Sequence, residues 1–244
     1  MYIAFMSDSA VNTSPHWTIR PIGYINSPYK QKFGVARQPG LVPAAQAYID
    51  LSTEFTAECV RGLNDYEYIW VQFIFHATIK DGWQPLIRPP KLGGKEKKGV
   101  FATRSPHRPN HLGLSLVKLE RIECNKQIRL YVSGVDFLDQ TPVIDIKPYI
   151  PFVEAKPYAH SSFAHERELL TVHWSQYALN QMQFFSLDSE YFQLVNQSLA
   201  QDPRPVHQHH TDKVFVMHLG NFDVLFQFRG KSVEVTGLRE HIGI

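Results

Sequence analysis

Four short segments hold more reactive and hydrogen-bonding side chains than plain connections require. The densest, 99–115, carries Arg104 and Arg108, His107 and His111, Asn110, Ser105 and Ser115, and the prolines Pro106 and Pro109. Guanidinium forks match carboxylates and phosphates in paired hydrogen bonds, and a proline-stiffened loop gives up little freedom when it holds one. Segment 135–149 sets Asp136, Asp139 and Asp145 among apolar residues, where a half-buried strand ordinarily excludes charge. Those acids could close local turns, pair with Arg104 and Arg108, or serve a ligand. Segment 36–40, Ala-Arg-Gln-Pro-Gly, reads as a tight turn that presents backbone donors alongside Arg37 and Gln38. In 75–77 the imidazole of His76 ends an apolar run, either as a satisfied core histidine or as a group facing a pocket.

Several chemistries are missing from the sequence. It has no glycine-rich dinucleotide or phosphate loop, no H-E-x-x-H, no C-x-x-C and no G-x-S-x-G. A nucleotide-like cofactor therefore has to be held by other loops. His207, His209 and His210 fit no standard metal spacing and read as a solvated loop, so no metal is expected. Net charge is only +2, yet 88–108 alone carries +6, from Arg88, Lys91, Lys95, Lys97, Lys98, Arg104 and Arg108 against Glu96, leaving −4 elsewhere. A concentrated basic stretch on a nearly neutral chain suits phosphate contact, although a solvated loop would look the same by charge alone.

The elements that must position these residues read as mainly β with minor α. Strands are expected over 18–26, 45–51, 66–75, 99–103, 112–124, 127–135 and 142–146, with one short helix over 54–63. The apolar face switches along 112–124, which predicts a bulge. Many strands at short spacing point to a β-barrel over 18–153. A flexible leader precedes it at 1–17, and a proline-rich linker follows at 154–166. A small C-terminal α+β domain at 167–244 is expected to hold a strand over 170–175, a helix over 188–201 and three further strands. No apolar run approaches membrane-span length, and the start lacks a secretory pattern, so no membrane partner is expected. Cys59 and Cys124 lack metal or scaffold spacing and suit a reduced, cytoplasmic protein.

Phe101-Ala-Thr-Arg104-Ser-Pro-His-Arg108-Pro-Asn110 and the 136–149 block resemble F-A-T-R-S-x-x-R-P-N and D-x-x-D-G-T-P-V-x-D-I-K-P-Y. These are signature blocks of the bacterial family that methylates N6 of threonylcarbamoyladenosine at tRNA position 37. The resemblance runs from about Pro21, through R-Q-P-G-L at Arg37 and R-P-P-x-L-G-G at Arg88, to Asp202-Pro203-Arg204-Pro205. It implies a homodimeric β-barrel methyltransferase using S-adenosyl-L-methionine, with tRNA carrying threonylcarbamoyladenosine as substrate. The donor site it implies comprises Gln38, Pro39, Gly40, His76, Arg104, Leu114, Phe137, Leu138, Asp139 and Gln140. Asp139 or His76 would take the N6 proton. Lys91, Lys95, Lys97, Lys98, Arg108 and Arg204 would meet RNA, and Arg37, Arg108 or Lys147 the threonyl carboxylate. The family usually has glycine where Gln140 stands, often proline at His111, and often glutamine at Ala77. The rival readings are a methyltransferase for another substrate and a non-catalytic RNA-binding barrel.

Overall fold

The computed structural model describes residues 18–89, 96–161, 168–204 and 213–242. The expected leader lies outside them, as do Lys91, Lys95, His207, His209, His210 and part of the expected linker.

Eight strands come first: β1 (Gly23–Asn26), β2 (Gln46–Leu51), β3 (Tyr68–Ile74), β4 (Leu86–Ile87), β5 (Lys98–Gly99), β6 (Leu112–Cys124), β7 (Ile128–Ser133) and β8 (Pro142–Pro148). Six of them close into an antiparallel barrel in the order β1-β2-β7-β6-β3-β8, and β4 pairs with β5 outside it. Side-chain alternation dictates the register. Ile69, Val71 and Phe73 of β3 point inward, as do Ala47, Ile49 and Leu51 of β2 and Ile128, Leu130 and Val132 of β7. Slipping β3 by one residue would bury Tyr68, Trp70 and Gln72 instead, and each aliphatic or phenyl side chain expelled would lose about 1.5–3 kcal/mol. The expected bulge is present in β6: Leu119 faces Val132 and Arg121 faces Tyr131, which leaves Glu120 as the extra residue.

Beyond the barrel come α1 (Pro151–Glu154), β9 (Thr171–Trp174), α2 (Gln176–Phe184), α3 (Ser189–Ala200), β10 (Phe215–Leu219), β11 (Phe222–Arg229) and β12 (Ser232–Glu240). The second sheet has the order β10-β11-β12-β9, with β12 and β9 parallel. Ser175 and Asp188 cap α2 and α3, accepting the N–H groups of Ala178 at 3.1 Å and Tyr191 at 2.9 Å. The architecture is thus mainly β, a closed barrel with a small C-terminal α+β sheet unit.

The two sheets share one continuous core. Phe33, from the 27–45 loop, stacks on Phe215 at 6.4 Å and Phe226 at 6.3 Å. Tyr29 bridges to Leu219, and Gly220 N–H donates to the Pro28 carbonyl at 2.8 Å. The Arg37 guanidinium donates to the carbonyls of Asp202 at 3.0 Å and Arg204 at 3.3 Å.

Three local expectations change. The 54–63 segment forms two 3-10 turns, Ala57–Val60 and Leu63–Asp65, because Gly62 breaks it in a left-handed conformation (φ +81°) before an α-helix repays its nucleation cost. The expected 99–103 strand stops at Gly99 and coils into the turn Val100–Ala102, where the Val100 carbonyl accepts the Thr103 hydroxyl at 2.8 Å. Helix α2 was not expected, and its glutamine-rich sequence gives only a weak apolar stripe.

Gly113 lies opposite Phe73 in the β6–β3 ladder, and a Cβ there would stand 2.2 Å from the Phe73 ring. Replacing Gly113 by alanine is therefore expected to destabilise the fold by about 1–3 kcal/mol through overpacking, read as a lower urea midpoint with unchanged slope.

Candidate cofactor and active site

One end of the barrel gathers the chemistry. β3 delivers His76 there as it leaves the barrel into the 3-10 turn His76–Asp81, and β6 begins there with His111 to Ser115. The floor is aromatic: Phe73 meets Phe75 and Phe137 edge-on, at 4.9 and 5.0 Å between centroids. Gly40 sits in a left-handed turn (φ +79°), donating its N–H to the Gly134 carbonyl at 2.8 Å, with open space where a Cβ would be. Arg104 donates to the Gln38 side-chain carbonyl, so the 36–40 turn and the 99–115 loop meet. Leu114 stands half exposed beside Ser115 and offers an apolar ledge.

The 137–141 loop is fixed by polar contacts. Ser27 donates its hydroxyl to the Phe137 carbonyl at 2.7 Å and its N–H to Asp139 Oδ1 at 2.9 Å. Lys30 Nζ lies 2.8 Å from Asp139 Oδ2, so each oxygen of Asp139 has a partner. Gln140 takes the positive φ that a usual glycine implies (+59°), and its amide donates to Asn26 Oδ1 at 3.3 Å. His111 is also at positive φ (+51°), which proline cannot adopt.

Two titratable groups are perturbed. Burial holds the His76 imidazole below its ordinary value, with Lys32 acting the same way and Asp139 opposing. The Ile74 backbone also opposes the effect of burial. Burial pushes Asp136 up to about 6, against a 2.6 Å hydrogen bond from the Ser115 hydroxyl and the nearby Arg104 charge. Ser115, Asp136, Ser27 and Lys30 were not singled out as site residues. The signal was there: Asp136 sits in an acid-rich block, and Ser115 is a buried hydroxyl on an otherwise apolar inward face.

The structure thus brings together Gln38, Pro39, Gly40, His76, Arg104, Leu114 and the 137–140 stretch. The residues expected at RNA are divided. Lys98 is paired with Glu96 at 2.5 Å, and Lys97 is exposed beside it, where β4 and β5 close the base of the basic loop. The Arg108 guanidinium is spent within its own loop, donating to the Thr103 carbonyl at 2.7 Å. Arg204 is buried, paired with Asp202 at 2.8 Å and lying 3.6 Å from the Phe228 ring, so it braces the C-terminal unit instead of presenting a surface. Arg37 holds backbone carbonyls as described, and Lys147, opposite Trp70, lies toward the far end of β3 from His76. An open groove of about 450 Å³ where β2 meets α3 contains none of the expected site residues.

The residues at the barrel mouth fit a charged, nucleotide-like donor. An exposed guanidinium suits a carboxylate, the Leu114 ledge and aromatic floor suit a flat base, and the open turn at Gly40 leaves room for close approach.

Comparison with known proteins agrees with this geometry. The domain described as "tRNA-methyltransferase O N-terminal domain" matches residues 24–155, and "TrmO C-terminal domain" matches 167–241. The tRNA (adenine(37)-N6)-methyltransferase of Escherichia coli K12 is 42% identical over 224 residues, covering 89% of this chain and 95% of the relative. A Pseudomonas aeruginosa protein described as a candidate S-adenosylmethionine-dependent methyltransferase is 47% identical over 166 residues, covering 67% of this chain and 68% of the relative. The crystal structure of TrmO from Pseudomonas aeruginosa superposes with a TM-score of 0.77 at 34% identity, covering 92% of this chain and 98% of that one. Among the described residues, no helix is long and apolar enough to cross a membrane.

The raised Asp136 value has a consequence for stability. The folded chain holds that proton more tightly than the unfolded chain, so the stabilisation is complete below the ordinary value of 3.8 and is lost as pH rises through about 6. Ionisation above that window costs on the order of 2–3 kcal/mol. Asp136→Asn should therefore be more stable than the parent above the window and similar below it, as read from denaturation midpoints on both sides.

Proposed function

The chain belongs to the TrmO family, and from that premise we propose that it methylates N6 of adenosine 37 in tRNA, with S-adenosyl-L-methionine as donor. We propose further that the acceptor is the threonylcarbamoyl-modified base, and that the enzyme works as a homodimer in the cytoplasm. The observation that carries the reading is the convergence of Gln38, Gly40, His76, Arg104, Leu114 and the 137–140 loop on one barrel end. The most basic stretch of the chain, 88–108, runs in sequence into the segment that carries Arg104. A non-catalytic RNA-binding barrel would need the basic stretch, but not a perturbed imidazole beside a braced loop.

In this reading 18–153 is the catalytic domain, joined by the 154–166 linker to a 167–244 unit. When bound, the donor supplies an electrophilic methyl group on a good leaving group. Arg104, held by Gln38, takes its carboxylate. Backbone groups of the 137–140 loop, ordered by Asp139 between Ser27 and Lys30, fix its orientation, which can supply much of the acceleration. N6 is a weak nucleophile because its lone pair is drawn into the purine and again into the carbamoyl group. The second withdrawal acidifies the N–H, and the His76 imidazole, whose protonated form burial disfavours, accepts that proton. In this reading the threonyl carboxylate is met by Lys32, whose ammonium lies 3.9 Å from Asp81 and is exposed enough to exchange that partner. Lys91, Lys95, Lys97 and Lys98 position the RNA by its phosphates without reading sequence. The exposed apolar side chains Ile150, Phe152 and Val153 beside the outer face of β3 support the homodimer.

Arg104→Ala should weaken donor binding by roughly tenfold to a hundredfold, the worth of a charge-assisted hydrogen bond, while His209→Ala leaves it unchanged; calorimetry on both variants checks this. Single-turnover methylation with saturating donor should be fast on tRNA carrying threonylcarbamoyladenosine and at least about a hundredfold slower on the same tRNA with bare adenosine, because an absent carboxylate leaves its cationic partner unpaired. Comparable rates on the two tRNAs would favour a general adenine methyltransferase.

A further inference from the structure

At one edge of the C-terminal sheet, strand register gathers three metal-ligating side chains that play no part in the methylation site. His218 on β10 and Asp223 on β11 are direct cross-strand partners, and Asp223 is in turn opposite Arg239 on β12. His241 lies two residues beyond Arg239 and continues the ladder by donating its N–H to the Asn221 carbonyl at 2.8 Å. The donor atoms of His218, Asp223 and His241 all fall within 4.8 Å of one another. His241 Nδ1 is 2.8 Å from Asp223 Oδ1, and the two imidazoles lie face to face, 3.7 Å between centroids.

We propose that His218, Asp223 and His241 form a binding site for one divalent first-row transition ion of the zinc class. Two imidazoles and a carboxylate are a ligand set suited to such ions, with water completing the coordination. The carboxylate is already set for one-oxygen ligation: its other oxygen, Oδ2, is held by Arg239 Nε at 3.1 Å. Tetrahedral ligation brings donor atoms to about 3.2–3.5 Å from one another, so the facing rings must tilt for their lone pairs to converge. His241, the most exposed of the three, has the freedom to do so, and its solvent side gives the ion access. The ion replaces the proton shared between His241 and Asp223 and ties the end of β12 to the β10–β11 hairpin. That hairpin carries Leu219 and Gly220, against which Pro28 and Tyr29 are docked, so the ion stiffens the joint between the two sheets.

The test uses untagged, metal-stripped full-length protein. Cobalt(II) titration should saturate at one ion per chain with a ligand-field absorption spectrum of low-symmetry nitrogen and oxygen ligation, and zinc should displace it and raise Tm. His218→Ala and His241→Ala should each weaken cobalt binding by more than roughly tenfold. The combined His207→Ala, His209→Ala, His210→Ala variant should bind as the parent does. Circular dichroism of each apo variant separates lost binding from lost folding, and an Arg239→Lys variant, which keeps the charge, should still bind. The proposal is overturned if no saturable site of this stoichiometry appears. It is equally overturned if binding survives in the folded His218→Ala, His241→Ala double variant, or disappears in the 207, 209, 210 variant.

Discussion

Between β1 and β8 the backbone ladder runs for only two residue pairs, Gly23 opposite Val143 and Tyr24 opposite Pro142, and proline has no N–H to contribute. The seam that closes the barrel is completed by the 137–141 loop lying along 25–29. Gln140 N–H reaches the Ile25 carbonyl at 2.8 Å, Asp139 N–H reaches Tyr29 at 2.9 Å, and Ile25 N–H returns to Thr141 at 3.0 Å. Asp139 then clamps the seam from the side-chain direction through Ser27 and Lys30. The segment that closes the barrel is thereby also the segment that forms the mouth. Its outer side, at Pro28 and Tyr29, is where the C-terminal sheet attaches. Two paired five-residue segments, 25–29 and 137–141, thus serve closure, site and joint together.

Two carboxylates three positions apart receive opposite treatment from this arrangement. Asp139 meets an ammonium and a backbone donor. Asp136, turned toward the Ser115 hydroxyl, is pushed up to about 6 by burial. The same division separates the arginines. Arg37, Arg108 and Arg204 spend their forks on carbonyls or on a neighbouring carboxylate, whereas Arg104 is exposed and donates to the Gln38 amide oxygen. A guanidinium in a charged-looking loop is therefore not a ligand contact by virtue of its type. What decides is whether backbone acceptors lie within reach, as the Thr103 carbonyl does for Arg108.

The barrel was legible because inward residues alternate strictly: Ile69, Val71, Phe73 and Ile128, Leu130, Val132 could be placed by period alone. Even the bulge at Glu120 showed as a change of apolar face. The positive φ at Gln140 followed from the residue usual at that position, not from any local propensity. Helix α2 stayed hidden because its stability comes from packing on β12, which no local pattern records. The burial of Arg204 was equally hidden, since it depends on Phe228 and Asp202 meeting across a loop. His218 and Asp223 look unrelated in sequence, and only the hairpin register makes them neighbours.

β12 lies in the interior of the second sheet, between β11 and β9, and among the described residues it is the last strand to be made. During synthesis from the N-terminus, every barrel strand is available by residue 148, well before this sheet can form. β9 must then wait some sixty residues for the partner that makes it part of a sheet. Its apolar side chains, with those of α2 and α3, have no floor to pack on until residue 240 has emerged. Vectorial folding should thus be smooth for the barrel and delayed for its companion, which puts the period of greatest exposure to aggregation between the emergence of β9 and that of β12.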